Sequence, residues 1–430
     1  MRIYDTATDP ARDIHDALTR RDHSQDAAVD AATRAILAAV RAEGDAAVTR
    51  FTREFDWPAA PDGSLEVEYG DLIAANDGLS LEQTQVLLDA AVNIKDFHEA
   101  ERGHLQSWMH LPPTGYGAVT GQIMRPVERV GVYVPGGKAS YPSTVLMAAI
   151  PARMAGVKEI ILCTPPGHDG AIPPLVASAA AYHANRVFRI GGAQAIAALA
   201  YGTETVPKVD VIVGPGNAYV NAAKRIVYGD VGIDMLAGPS EVAIVADKEA
   251  NPVYVAADLL AQTEHGPDNK GVLLCSSHDV LEGCKRELEA QRARLSRQEI
   301  LQQTAQNMIL VKTQSVEESL ALANVLAPEH LELMVREPMT VLPLVQNAGA
   351  VLLGGYTSAP IGDYWAGPSH TLPTAGAARF SSPLSVATFM KRTSVVYYSR
   401  EAAQGAAEEV ACFAEAEGFD AHARAARLRL

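Results

Sequence analysis

Glu329 and His330 stand side by side in N-V-L-A-P-E-H-L-E-L (Asn324–Leu333), straight after Pro328 in an otherwise apolar stretch. A carboxylate beside an imidazole is acid–base chemistry if both reach one point. Strand neighbours point to opposite faces, and helix neighbours diverge by about 100°. A turn or a helix start brings both to one place, and Pro328 suits the first helical position because its ring fixes φ. The competing reading is a plain polar helix start, with Glu329 near the positive end of the dipole.

Other candidates lie far apart along the chain. In DLLAQTEHG, Gln262 and His265 are three residues apart and share a helix face, and Gly266 and Pro267 end the helix at once. They read either as a ligand pair or as a helix end whose histidine complements the dipole. GGYTSAPIGDYWAGPSHTLPT (354–374) reads as a long loop and holds Asp363, Tyr364, Trp365 and His370. EGFDAHARA holds Glu417 and His422, and reads equally as an exposed helix face. Gln, His, Asp and His together suit a Zn²⁺ site of nitrogen and oxygen donors, a type that tends to leave positions open for substrate. Spacing alone does not bring them together.

Three glycine turns each follow an apolar strand and precede a helix: YVPGGKAS (133–140), RIGGAQAI (189–196) and VGPGNAYV (213–220). Glycine lets the backbone approach a phosphate, and the next helix offers free N–H groups. The strict G-x-G-x-x-G fingerprint is absent. The turns therefore read as a nucleotide site or as plain tight turns, with the polar Gln194 and Asn217 favouring the former.

The elements that must position these residues follow from periodicity. Residues 26–57 and 80–109 read as helix. From 129 onward short apolar strands alternate with helices, which means βαβ units and parallel sheets covered on both faces. The expected fold is α/β, with two doubly wound, incomplete Rossmann-like domains plus small helical terminal segments. The expected division is 1–26 as an N-terminal helical segment, 27–130 with 240–385 as the metal and catalytic domain, 131–239 as the nucleotide domain, and 386–430 as a helical tail.

With 430 residues, 48% hydrophobic and 20% charged, the chain has material for two large cores. A net charge of −15 argues against nucleic-acid and anionic-membrane partners. Cys163, Cys275, Cys284 and Cys412 form no C-x-x-C pair, so no thiolate metal site follows. No apolar h-region opens the chain and no run of apolar residues is long enough to span a bilayer, so a reducing cytoplasm is the expectation.

Taken together, YVPGGKASYPSTVLMAAIPA, GGAQAIAALAYGT, GPGNAYV, DMLAGPSEV, DLLAQTEHGPD, LAPEHLEL, GDYWAGPSHTLPTAGAARFSSPLSV and EGFDAHA closely resemble the histidinol dehydrogenase family, in family order over roughly residues 20–425. The resemblance implies two consecutive NAD-dependent oxidations of L-histidinol, through L-histidinal, to L-histidine at the end of histidine biosynthesis. It implies Gln262, His265, Asp363 and His422 as zinc ligands, and Glu329 and His330 as the catalytic pair. Ser240, His370, Tyr364 and Glu417 fall where the family contacts substrate, beside the metal ligands and His330. Tyr133, Gln194 and Asn217 fall where it contacts NAD. It also implies a homodimer whose C-terminal segment is swapped, so that Glu417 and His422 reach the partner's site. The alternative is a related zinc dehydrogenase of another polar alcohol, such as a sulfonated diol, which the acidic Glu417 opposes.

The chemistry has need of these types. Alcohol oxidation needs a base for the hydroxyl proton, and a neutral histidine suits that near pH 7. Aldehyde oxidation needs an added water, which a carboxylate can orient and deprotonate. One Glu–His pair can serve both steps.

Overall fold

The computed structural model describes residues 1–20, 27–113, 117–137, 140–264 and 266–430. Two parallel sheets dominate. A five-stranded sheet runs in the order Arg186–Arg189, Glu159–Thr164, Arg129–Tyr133, Val211–Val213, Gly232–Ile233. A six-stranded sheet runs Arg2–Asp5, Ile309–Lys312, Lys270–Cys275, Glu241–Ala246, His330–Met334, Ala350–Leu353. All pairings within both are parallel. In each, the order reverses beside the central strand, the switch that makes a doubly wound sheet.

The strands are apolar throughout because helices cover both faces. Val130, Val132, Ile160, Ile161 and Leu162 are fully buried, as are Val242, Ile244, Leu273 and Leu331. Helix Pro142–Ala155 starts with proline at its first turn and buries most of its length between the five-stranded sheet and helix Leu81–Gly103. Asn217 caps helix Ala218–Val227 by accepting the Val220 N–H.

The structure departs from the expected elements in five places: the 80–109 helix is Leu81–Gly103, followed by strand Trp108–His110, and four more differ as follows. The 26–57 helix is two helices, Ala27–Glu43 and Asp45–Phe55, because Gly44 takes a left-handed φ between them. His330 opens a strand, not a helix: helix Val316–Leu326 ends at Ala327, and Pro328 and Glu329 form the turn into strand His330–Met334. The 354–374 loop contains helix Ala359–Tyr364, started by Pro360 in its first turn. The tail is not all helical. Met390–Tyr398 forms a strand antiparallel to Ala118–Pro126, with Trp108–His110 on the other edge, before helices Arg400–Ala416 and Asp420–Arg427. Its alternation of Thr, Val and Tyr favours extended backbone.

Two segments also lie elsewhere than the expected division has them. Strand Arg2–Asp5 is an edge of the six-stranded sheet. Helix Ala27–Glu43 packs on the helices of the five-stranded sheet, through Ile36, Leu37 and Val40, and so does not accompany the six-stranded one. No helix among the described residues is long and apolar enough to cross a membrane.

Candidate active site

The catalytic candidates gather at the amino edge of the six-stranded sheet. Strands Glu241–Ala246 and His330–Met334 are neighbours there, with His330 opposite Val242. The helices that follow the strands run back and end at this edge. Helix Pro252–Thr263 thereby delivers Gln262, and helix Ala359–Tyr364 delivers Asp363.

Glu329 is buried, and its Oε2 accepts the Glu241 N–H at 2.9 Å and Gln262 Nε2 at 3.4 Å. Burial pushes its carboxyl up to about 7, against the pull of His330 and the Glu241 N–H. His330 Nε2 lies 3.0 Å from Asp363 Oδ1, and Nδ1 lies 3.9 Å from Glu329 Oε2. A carboxylate only accepts, so Nε2 carries the proton of a neutral ring and Nδ1 is the basic nitrogen. Burial disfavours the imidazolium, but the Asp363 hydrogen bond and the two carboxylates outweigh it and raise the His330 pKa.

His370 closes the site from the other side. Its Nδ1 donates to the Asp363 carbonyl at 3.1 Å, which leaves Nε2 to accept from Thr144 Oγ1 at 3.4 Å. Thr144 lies in the first turn of helix Pro142–Ala155, directly after the first glycine turn. The adjacent Ser369 hydroxyl donates to the Met147 carbonyl in the same helix at 3.3 Å. The acid–base edge of one sheet is thus tied to the glycine-turn edge of the other.

The structure brings Gln262, Glu329, His330, Asp363 and His370 together, with Tyr364 half-exposed beside Asp363. Ser240 precedes Glu241 in the same turn, and its N–H donates to Asn269 Oδ1. His265 lies outside the described residues. Glu417 and His422 lie elsewhere, in an exposed groove of the tail helices lined by Val410, Phe413 and Phe419.

Among the cofactor candidates, Tyr133 is buried at the carboxyl end of its strand and Gln194 in the first turn of helix Gly192–Tyr201, which follows the next glycine turn. Tyr133 Oη accepts the Gly192 N–H, and Gln194 Nε2 reaches Asp56 at 3.4 Å. Asn217 is occupied as the helix cap.

Three supporting residues escaped the sequence reading. Buried Asn269 links the Ser240 turn to the Gln262 carbonyl. Lys224 and Asp234 form a fully buried ion pair, and both grip Gly214 of the GPGN turn. Gly214 has φ +111°, and a side chain there would strike the Tyr133 carbonyl. The available signal was a lone lysine on the apolar face of an amphipathic helix.

Gln262 and Asp363 bring an amide oxygen and a carboxylate beside the acid–base pair, the first hydrogen-bonded to Glu329 and the second to His330. This donor chemistry fits zinc. Among the described residues, no three His, Cys, Asp or Glu side chains stand close enough to hold a metal. Gln262 and Asp363 therefore need donors from outside that set.

The histidinol dehydrogenase family model matches residues 19–430. A histidinol dehydrogenase of Moorella thermoacetica is 48% identical over 404 residues, covering 93% of this chain and 94% of its own. That of Aquifex aeolicus is 46% identical over 417 residues, covering 96% and 95%. The crystal structure of histidinol dehydrogenase from Elizabethkingia anophelis superposes with a TM-score of 0.94 at 35% identity, covering 100% of this chain and 98% of that one. The chain belongs to the histidinol dehydrogenase family.

Proposed function

We propose that this protein oxidises L-histidinol to L-histidine with NAD in two steps through L-histidinal, the last reaction of histidine biosynthesis. The observation that carries the reading is the buried Glu329–His330 pair, hydrogen-bonded to Gln262 and Asp363 at one sheet edge. A binding module has no use for a carboxyl held near neutrality beside an imidazole.

His330 takes the hydroxyl proton in the first oxidation, and the gem-diol proton in the second. The accepted proton sits on Nδ1, where the Glu329 carboxylate stabilises it. Glu329, poised near neutrality by burial, orients and deprotonates the water that adds to the aldehyde. Gln262, His265 and Asp363, with His422 of the partner subunit, would hold the zinc. When bound, NAD would supply the two-electron acceptor for each step, and zinc would supply a Lewis acid that helps to anchor the substrate. Ser240, Tyr364 and His370 line the substrate site, and the Glu417 carboxylate suits the substrate ammonium. Tyr133, Gln194 and Asn217 mark the NAD side, on the glycine turns at the carboxyl edge of the five-stranded sheet.

A homodimer with swapped tails accounts for the position of Glu417 and His422. The tail leaves Val396, Tyr397, Phe413 and Phe419 more than half exposed, and strand Met390–Tyr398 has both faces largely bare. A second subunit would cover them. All four cysteines are free thiols, three of them buried, which suits a cytoplasmic protein.

The test is formation of NADH from histidinol by zinc-loaded protein, followed by nicotinamide absorbance, with and without chelator. We expect chelation to abolish turnover and zinc to restore it. Turnover of a sulfonated diol but not of histidinol would overturn the assignment.

A further inference from the structure

Behind the acid–base pair lies a second pair of acids that the reaction does not use. Glu332 follows His330 by two residues on the same strand, so both side chains point to the same face of the sheet. It is 1% exposed in an otherwise apolar strand. Its Oε1 accepts the N–H of Ala359, the first residue of the helix that carries Asp363, at 3.2 Å. Its carboxyl also faces the carboxyl of Asp258, within reach of a hydrogen bond. Asp258 is itself buried, one helical turn before Gln262 on helix Pro252–Thr263. Among the described residues, no N–H or O–H of a neutral or cationic group reaches Glu332 Oε2. Two ionised carboxylates only accept, so their hydrogen bond requires one proton between them. Burial and mutual repulsion both favour that protonated state.

The pair spans the strand that carries His330 and the two helices that carry Gln262 and Asp363. Glu332 stands on the His330 strand, Asp258 on the Gln262 helix, and the Ala359 N–H on the Asp363 helix, and the two helices touch. We propose that Glu332 and Asp258 are positioning residues, whose shared proton locks the helices bearing Gln262 and Asp363 onto the strand bearing His330 and so sets zinc affinity. The inference rests on the metal site proposed above. An amide can replace one carboxyl, because its N–H₂ donates where the shared proton did. An apolar side chain cannot: either one leaves the other acid without its partner, and one at position 332 also strands the Ala359 N–H.

Zinc affinity of the metal-free protein, measured by competition with a chromogenic chelator, reads this directly without turnover. Glu332→Gln and Asp258→Asn should bind zinc within about threefold of wild type, whereas Glu332→Leu and Asp258→Ala should bind about 10–100-fold more weakly, the usual effect of losing an outer-shell partner. Asp258→Ala leaves the sheet untouched and serves if Glu332→Leu does not fold. Wild-type affinity in Asp258→Ala would overturn the proposal, as would amide variants as weak as the apolar ones. If wild-type protein bound no zinc, the metal site itself would fall; if it bound zinc and every variant matched it, only this inference would.

Discussion

The two parallel sheets share one winding but present opposite edges to the site. The five-stranded sheet offers its carboxyl edge, where strands Arg129–Tyr133, Arg186–Arg189 and Val211–Val213 run into glycine turns. The six-stranded sheet offers its amino edge, where strands begin and helices end. The difference is one of available chemistry. Carboxyl edges lead into helix N-termini, whose free N–H groups suit an anionic dinucleotide. An amino edge collects helix C-termini, whose carbonyls and negative dipole ends suit cations and protonated bases. The proposed zinc site and histidine base at one edge, and the proposed cofactor site at the other, would use the same fold from both ends. The Thr144–His370 contact joins the edges.

The strongest way to break this division is at the amino edge. His330→Asn removes the proposed base of both oxidations and should lower kcat for each by about 10²–10⁴-fold, with zinc content unchanged. Glu329→Gln should lower aldehyde oxidation by a similar factor and alcohol oxidation far less. Stopped-flow comparison of histidinol and histidinal as substrates checks the pair. Equal slowing of both steps by Glu329→Gln would end the proposed division of labour.

The proposed sharing of the site between subunits makes a prediction of recovered activity. His330→Asn and His422→Asn proteins should each be inactive alone. After mixing and subunit exchange, half the dimers are hybrids and each has one intact site, so about a quarter of wild-type activity should return. Exchange confirmed by mass spectrometry without recovery would place His422 in its own subunit's site or in none.

The carboxyl edge responds differently, through stability. Lys224→Met leaves Asp234 charged, fully buried and unpaired, and should cost about 3–5 kcal/mol in chemical denaturation. The released GPGN turn should raise KM for NAD more than it lowers kcat. A loss of kcat at unchanged KM would detach the turn from the cofactor.

The edges also differed in how far the sequence could be read. The strands of the five-stranded sheet are unbroken apolar runs, and its turns carry their glycines in place, so local pattern sufficed. The amino edge is assembled from distant pieces. Gln262, Glu329 and Asp363 meet only because two returning helices end beside one strand start, and no spacing encodes that. Pro328 suggested a helix start because its fixed φ suits one; the apolar H-L-E-L-M run, buried between two strands, won. Glu332 in that run read as part of a pattern, although a carboxylate inside an apolar strand already required a partner. Met390–Tyr398 was lost in a polar, helical tail because its partner strand lies more than two hundred residues earlier.

Asn217 sharpens the comparison at its finest scale, because at the carboxyl edge one side chain can serve both fold and cofactor. Its Oδ1 caps helix Ala218–Val227, so Asn217→Ala should cost about 1 kcal/mol of stability, whatever else the residue does. Asn217→Asp keeps an oxygen for the Val220 N–H and stays a good cap, so its denaturation midpoint should match wild type. It also places a negative charge at the helix N-terminus, where the proposed NAD phosphates would lie. KM for NAD should therefore rise in Asn217→Asp, and should rise less in the presence of high salt. A variant with wild-type stability and wild-type KM would make Asn217 a cap alone, and would leave the cofactor's grip to Tyr133, Gln194 and the backbone of the turns.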